Sequence, residues 1–242
     1  MEHETKQPKA PEPFRFRTQV HLRELTGLKA KNIKELLYHV KTVPGSVIYH
    51  HTHHFLQQHQ FLSPEPPNDF AYWVTEALNE TKLGERLASI NICDFSSIRA
   101  IRDQIAGIIE NYLSSSKGSL KEANEGEEFH LMKSVSFVFP TPYAASTLEE
   151  FRNALKKISI HSLYFHIFEA RLRLESSSND FTSWFELIGE NELARKMLKL
   201  DPYTHTMERL REKLIRFIED RLSKIAKSES TTGVLPSEKR ES

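Results

Sequence analysis

The sequence predicts an α+β fold, predominantly α-helical, formed by internal duplication of a strand-plus-five-helix unit with approximate pseudo-two-fold symmetry. "NDFAYW" at Asn68–Trp73 recurs as "NDFTSW" at Asn179–Trp184, an offset of 111 (179 − 68). Upstream, Tyr49 and His51 match Tyr164 and His166 at an offset of 115 (164 − 49), so a deletion of four residues falls in the loop before the second "NDF". Downstream, Arg102, Ile109, Glu110 and Leu113 match Arg211, Ile218, Glu219 and Leu222 at 109 (211 − 102). Matches that keep their order across most of a chain are the mark of a repeated structural unit.

Taken from the N-terminus, residues 1–13 are polar and Pro-rich and read as a tail. The first repeat spans 14–113. Phe14, Phe16, Val20 and Leu22 alternate with Arg15, Arg17, Gln19 and His21, the period of two that a strand requires. Asn32 is placed to cap a helix over "IKELLYHVK", the histidine-rich helix follows, and Asn68 opens the "NDF" helix. A short helix and a long one close the unit, the long one with Ile98, Ile101, Ile105, Ile108 and Tyr112 as a buried stripe. Residues 114–128, "SSSKGSLKEANEGEE", form a polar linker.

The second repeat, 129–226, runs in the same order. A strand begins at Phe129, Thr147 caps a helix, "SLYFHIFEARLRL" stands where the histidine helix was, and Met207, Leu210, Leu214, Phe217 and Ile218 stripe the last helix. Residues 227–242 read as a second tail. A lone strand per half cannot stand by itself, so the two either pair across the pseudo-dyad or extend a sheet in a homo-oligomer.

Composition narrows the function classes. Lys plus Arg and Asp plus Glu are 33 each, so formal charge is zero, which gives no reason to expect nucleic acid or an anionic membrane as partner. The single cysteine, Cys93, excludes an intrachain disulfide and a Cys-rich zinc site, and fits an inert buried thiol in a reducing compartment. The first residues lack the apolar core of a signal peptide and no apolar run is long enough to span a bilayer, so the expected location is cytoplasmic.

"YHHTHHFLQQH", residues 49–59, concentrates five of the twelve histidines. A helical wheel places Ile48, Phe55 and Leu62 toward the core and His50, His53, Gln57 and Gln60 on an opposite, solvated face. Phe165 and Phe168 occupy the positions of His50 and His53 in the second copy, so that face is not a shared site. The arc that stays polar in both is His51, His54 and Gln58 against His166, Glu169 and Arg173.

Three chemistries suit this arc. His51, His54, His166 and Glu169 offer the nitrogen and oxygen donors of a divalent-metal site, although the His-Glu-x-x-His pattern is missing. A pocket for a sugar or phosphate is the second, with Arg173 favouring an anion. Core histidines bonded to backbone or tyrosine are the third. "NDFxxW" reads as a capped helix start with Phe and Trp entering the core, against an acid–base role for Asp69 and Asp180.

"VPGSVIYHHTHHFL" together with "NDFAYW" resembles a bacterial family catalogued as a domain of unknown function, over roughly residues 14–225. The resemblance implies a soluble, uncharacterised protein, found alone or alongside carbohydrate-active glycosyltransferases, and assigns no catalytic residue. The expected function is a non-catalytic binding or accessory module linked to carbohydrate metabolism, acting on a protein partner or a small polar ligand. The alternative is a metal-dependent or sugar- or phosphate-acting enzyme using the paired histidine helices.

Overall fold

A computed structural model describes residues 9–58, 68–115, 121–174, 178–200 and 205–232, the side chains of 54–58, 174 and 229–232 excepted. The architecture is α+β and mostly helical. Two strands of 17 residues, β1 (Phe14–Ala30) and β2 (Phe129–Ala145), pair antiparallel into one ribbon, with Phe14 opposite Ala145, His21 opposite Ser136 and Ala30 opposite Phe129. Both strands run beyond the alternating stretches that predict them.

Each end of the ribbon is bent by a bulge, at Arg15/Arg17 and at Leu25/Lys29. Gly27 in the second bulge has φ of +78°, a conformation that β-carbons disfavour. Thr141 Oγ1 donates to the Phe16 carbonyl at 2.8 Å, and Thr26 Oγ1 to that of Leu131 at 2.6 Å. Phe16 and Leu131 are thereby turned fully into the core. Val20, Leu22, Phe137 and Phe139 remain exposed on the outer face of the ribbon.

The helices follow in the expected order. After β1 come α1 (Ile33–Thr42), α2 (Gly45–Gln58), α3 (Asp69–Glu76), α4 (Thr81–Ala88) and α5 (Ile98–Ser115), with a 3-10 turn at Ile92–Asp94. After β2 come α6 (Leu148–Leu155), α7 (Ile160–Tyr164), a π-helical segment (Phe165–Glu169), α8 (Ala170–Leu174), α9 (Asp180–Leu187), α10 (Asn191–Leu198) and α11 (Met207–Thr232). Asn32 and Thr147 cap α1 and α6, and Glu35 and Glu150 reach back past the caps to accept from the amides of Lys31 and Ser146. Asn68 and Asn179 cap α3 and α9 as their sequences predict.

The helical packing differs from two self-contained units. Phe14 on β1 meets Phe151, Phe181 and Trp184 of the C-terminal helices, with ring centroids 5.3, 5.4 and 6.0 Å away. Phe129 on β2 meets Phe70 and Trp73 of the N-terminal helices at 5.3 and 5.5 Å. Each strand therefore completes the core of the other half. Burying aromatic faces across the exchange ties the two sets of helices to one ribbon.

Segments expected to be tails and linker contribute to this packing. Ala10 is buried and its amide bonds the Ser146 carbonyl at 2.9 Å. Ala123 bonds the Lys31 carbonyl at 2.8 Å, and α11 continues to Thr232. Among the described residues no helix is long and apolar enough to cross a membrane.

Candidate functional site

His51 projects from α2 and His166 from the π segment. Both are buried, and both have their ring nitrogens committed. His51 Nδ1 lies 2.8 Å from Asp69 Oδ2 at the start of α3, while His51 Nε2 accepts the Met132 amide of β2 at 3.0 Å. His166 Nδ1 lies 2.7 Å from Asp180 Oδ2 at the start of α9, while its Nε2 accepts the Arg17 amide of β1 at 2.8 Å.

An amide can only donate, so Nε2 carries no proton and the ring proton sits on Nδ1, facing the carboxylate. Each histidine is a neutral clamp between a strand of one half and a helix start of the other. Burial lowers the His166 pKa below its ordinary value, with Arg173 and Arg17 adding to the fall and Asp180 opposing it. The Asp180 carboxyl is held below its ordinary value: burial raises it, but the hydrogen bonds from His166 and Arg173 outweigh that.

"NDFxxW" can now be read residue by residue. Asn caps the helix, Asp holds the histidine, and Phe and Trp enter the core, where Trp73 and Trp184 are 7% and 5% exposed. The carboxylate's role as the histidine's partner is the part that the motif alone did not disclose.

A cleft opens beside each clamp. The first, of ≈ 390 Å³, is lined by His51, Asp69, Tyr72, Trp73, Phe129 and Met132, with Arg23, His50, Glu128 and His130. The second, of ≈ 300 Å³, is lined by His166, Asp180, Ser183, Phe14 and Phe165, with Arg15, Arg17 and Arg173. His51 and His166 thus line separate clefts. Of the arc predicted from sequence, His166 and Arg173 share the second cleft and His51 lines the first. The side chains of His54 and Gln58 lie outside the described ones.

Glu169 lies in neither cleft. The π segment widens the helix, so residues within and after it depart from the wheel of a regular α-helix. Glu169 there accepts from the Tyr49 hydroxyl and lies 3.4 Å from His21 Nε2, and His21 Nδ1 is 2.7 Å from Ser136 Oγ. This resembles a nucleophile–base–acid chain in composition, yet Ser136 lines neither cleft. In the sequence His21 occupies a polar place in the strand alternation, which carries no signal of this contact.

His50 and His53 correct the helical wheel. Both are buried, at 4% and 2% exposure, rather than solvated. His50 Nδ1 meets Ser134 Oγ at 3.0 Å, and His53 meets Thr52 Oγ1 at 2.8 Å and stacks on Tyr49 at 4.8 Å. Residues 47–53 and 162–171 are buried without a break, because α2 and the π-containing helix cross the centre of the molecule and have no solvent face there. Burial pushes the His53 pKa down to about 3, with His21 adding to the fall. Cys93 is half-buried rather than enclosed.

His50, His51 and Asp69 present one donor atom each within 4.8 Å of one another. A metal ion would need a lone pair from His51. Its Nε2 pair is engaged by the Met132 amide and its Nδ1 carries the proton given to Asp69, so lending one breaks the clamp. The same holds for His166. This donor set does not suit a divalent cation.

The clefts differ in charge. Arg15 and Arg17 form no ion pair among the described residues, and Arg173 bonds Asp180 at 2.7 Å while lying 4.3 Å over the Phe165 ring. Three guanidinium groups therefore meet one carboxylate in the second cleft, whereas Arg23 meets Asp69 and Glu128 in the first.

Residues 11–219 match the model of DUF5752, a family of unknown function, and the chain belongs to that family. Its fold is similar to that in the structure of OrfY from Thermoproteus tenax, with a TM-score of 0.75 and 28% identity over 88% of this chain and 96% of that one. No curated protein matches the chain.

Proposed function

We propose that this member of the DUF5752 family is a non-catalytic binding module, an internal duplication whose two clefts take small polar ligands. The observation that carries the reading is the state of the two histidines. Each has Nε2 occupied by a strand amide and Nδ1 by a carboxylate, so neither presents a basic nitrogen to its cleft as general-base catalysis requires.

Several contacts recurring at the repeat offsets support the duplication. Arg102 bonds the Val43 carbonyl at 2.6 Å and Arg211 the Ile158 carbonyl at 2.6 Å. Lys41 pairs with Glu110 and Lys156 with Glu219. His21 opposite Ser136 is the ladder pair whose members are also 115 residues apart (136 − 21), which supports a pseudo-dyad through the middle of the ribbon.

Small concave clefts with an aromatic wall and a few polar groups suit a sugar or a sugar derivative. The association of similar proteins with glycosyltransferases supports a place in carbohydrate metabolism, and the lone cysteine supports the cytoplasm. Thermal denaturation with a panel of sugars and sugar phosphates tests the reading, since a ligand of the native state raises the midpoint. Stabilisation without turnover is expected. Product formed from a stabilising ligand would contradict a binding role.

A further inference from the structure

Resting on the binding-module reading, we infer that the cleft beside Asp180 takes the phosphate group of a small phosphorylated molecule, held by Arg15, Arg17 and Arg173. The repeat offset places His130, Met132 and Gln58 where these arginines stand, so the basic character belongs to one half of the duplication. With His166 neutral, three positive groups face Asp180 alone. The surplus of two charges matches a phosphate dianion, and guanidinium forks match its oxygens.

The three arginines are prepared differently. Arg173 is held over Phe165 and tied to Asp180, so part of its ordering cost is met before any ligand arrives. Arg15 and Arg17 are exposed on either side of the β1 bulge and line the cleft without an ion-pair partner among the described residues. Their like charges, close to Arg173, are relieved when an anion enters.

A volume of ≈ 300 Å³ is at the lower end for small-molecule sites, so the cleft suits a phosphate joined to one small ring. Phe14 and Phe165 supply the wall for that ring and Ser183 a hydroxyl at the edge. The dimensions and the zero formal charge of the chain favour a small molecule over nucleic acid.

Calorimetry on the full chain with inorganic phosphate, a hexose 6-phosphate and the same free hexose tests the assignment. Both phosphates should bind, more weakly as salt rises, and the free hexose should bind far less. Arg15→Ala combined with Arg17→Ala should weaken the hexose phosphate by about tenfold or more, because charge-assisted hydrogen bonds are lost. Arg99→Ala removes an exposed charge elsewhere and should leave affinity unchanged.

Failure to bind either phosphate overturns the inference, as does the same loss from Arg23→Ala in the other cleft. A free hexose binding as tightly as its phosphate overturns the phosphate assignment and leaves the module reading standing. Release of inorganic phosphate from the hexose phosphate, followed by 31P resonance, would instead overturn the module reading and leave the phosphate site in place.

Discussion

Beside Asp69 one arginine faces two carboxylates, whereas beside Asp180 three arginines face one, although both clefts are built on the same clamp of histidine, aspartate and strand amide. The frame is repeated and the lining is not. The repeated histidines are buried and hydrogen-bonded, where an unpaired partner is costly. The groups that differ, Arg15 against His130 and Arg17 against Met132, lie on strand surface where substitution leaves the backbone bond to the histidine intact. The clamp and the cleft lining are thus carried by different atoms of the same residue: the amide of Arg17 holds His166 while its side chain lines the cleft.

The largest test of the comparison removes the tryptophans. Trp73 and Trp184 are buried, the latter stacked on Phe151 at 4.8 Å, so replacing either by alanine should cost about 3–5 kcal/mol in urea denaturation. Phenylalanine sharpens the contrast. Trp73 Nε1 donates to the Glu127 carbonyl at 2.7 Å, whereas Trp184 Nε1 has no hydrogen-bond partner among the described residues. Trp73→Phe should therefore cost about 1 kcal/mol more than Trp184→Phe. Equal costs would show that the two aromatic seats are not distinguished by this bond.

The clamps come next in size. His51→Ala and His166→Ala each leave a strand amide without its acceptor, while Asp180 keeps its bond to Arg173 and Asp69 is open to water, and each should lower stability by about 1–3 kcal/mol. The two losses should agree. A large loss from one and none from the other would break the equivalence of the clamps.

Much of this architecture was legible in the sequence. Alternation around Phe14 and Phe129 showed the strands, and Asn32, Asn68, Thr147 and Asn179 showed the helix starts, because capping and period are local properties. The burial of His50 and His53 was hidden because a wheel assigns one solvent face to every helix, and helices crossing at the centre have none. The place of Glu169 was hidden by the π segment, whose widening no local spacing announced. "FRFR" did contain the cleft arginines, but as the polar half of a strand pattern they looked like ordinary solvated surface.

The halves also separate by pH. His53 is neutral when folded, with its pKa pushed down to about 3 from an ordinary 6.5 by burial first and His21 second. Between those values the unfolded chain binds more protons than the folded one, so stability falls as pH drops below 6.5. The lowered pKa of His166 acts in the same direction, and that of Asp180 adds a loss as pH falls through the carboxylate range. The second half carries Phe168 where the first has His53, so His53→Phe should flatten the fall of melting temperature between about pH 6.5 and 4. An unchanged slope would place the acid sensitivity elsewhere.

The tautomers of His51 and His166 test the central claim most directly. Long-range 1H–15N correlation spectra of the full chain at neutral pH read the protonation of each ring nitrogen. Both rings should be neutral, with the proton on Nδ1 and Nε2 carrying the shift of a hydrogen-bond acceptor, and His51→Ala and His166→Ala should remove the two signals in turn. A proton on Nε2 in either ring, or an imidazolium at neutral pH, would contradict the clamp and return that histidine to the candidates for chemistry.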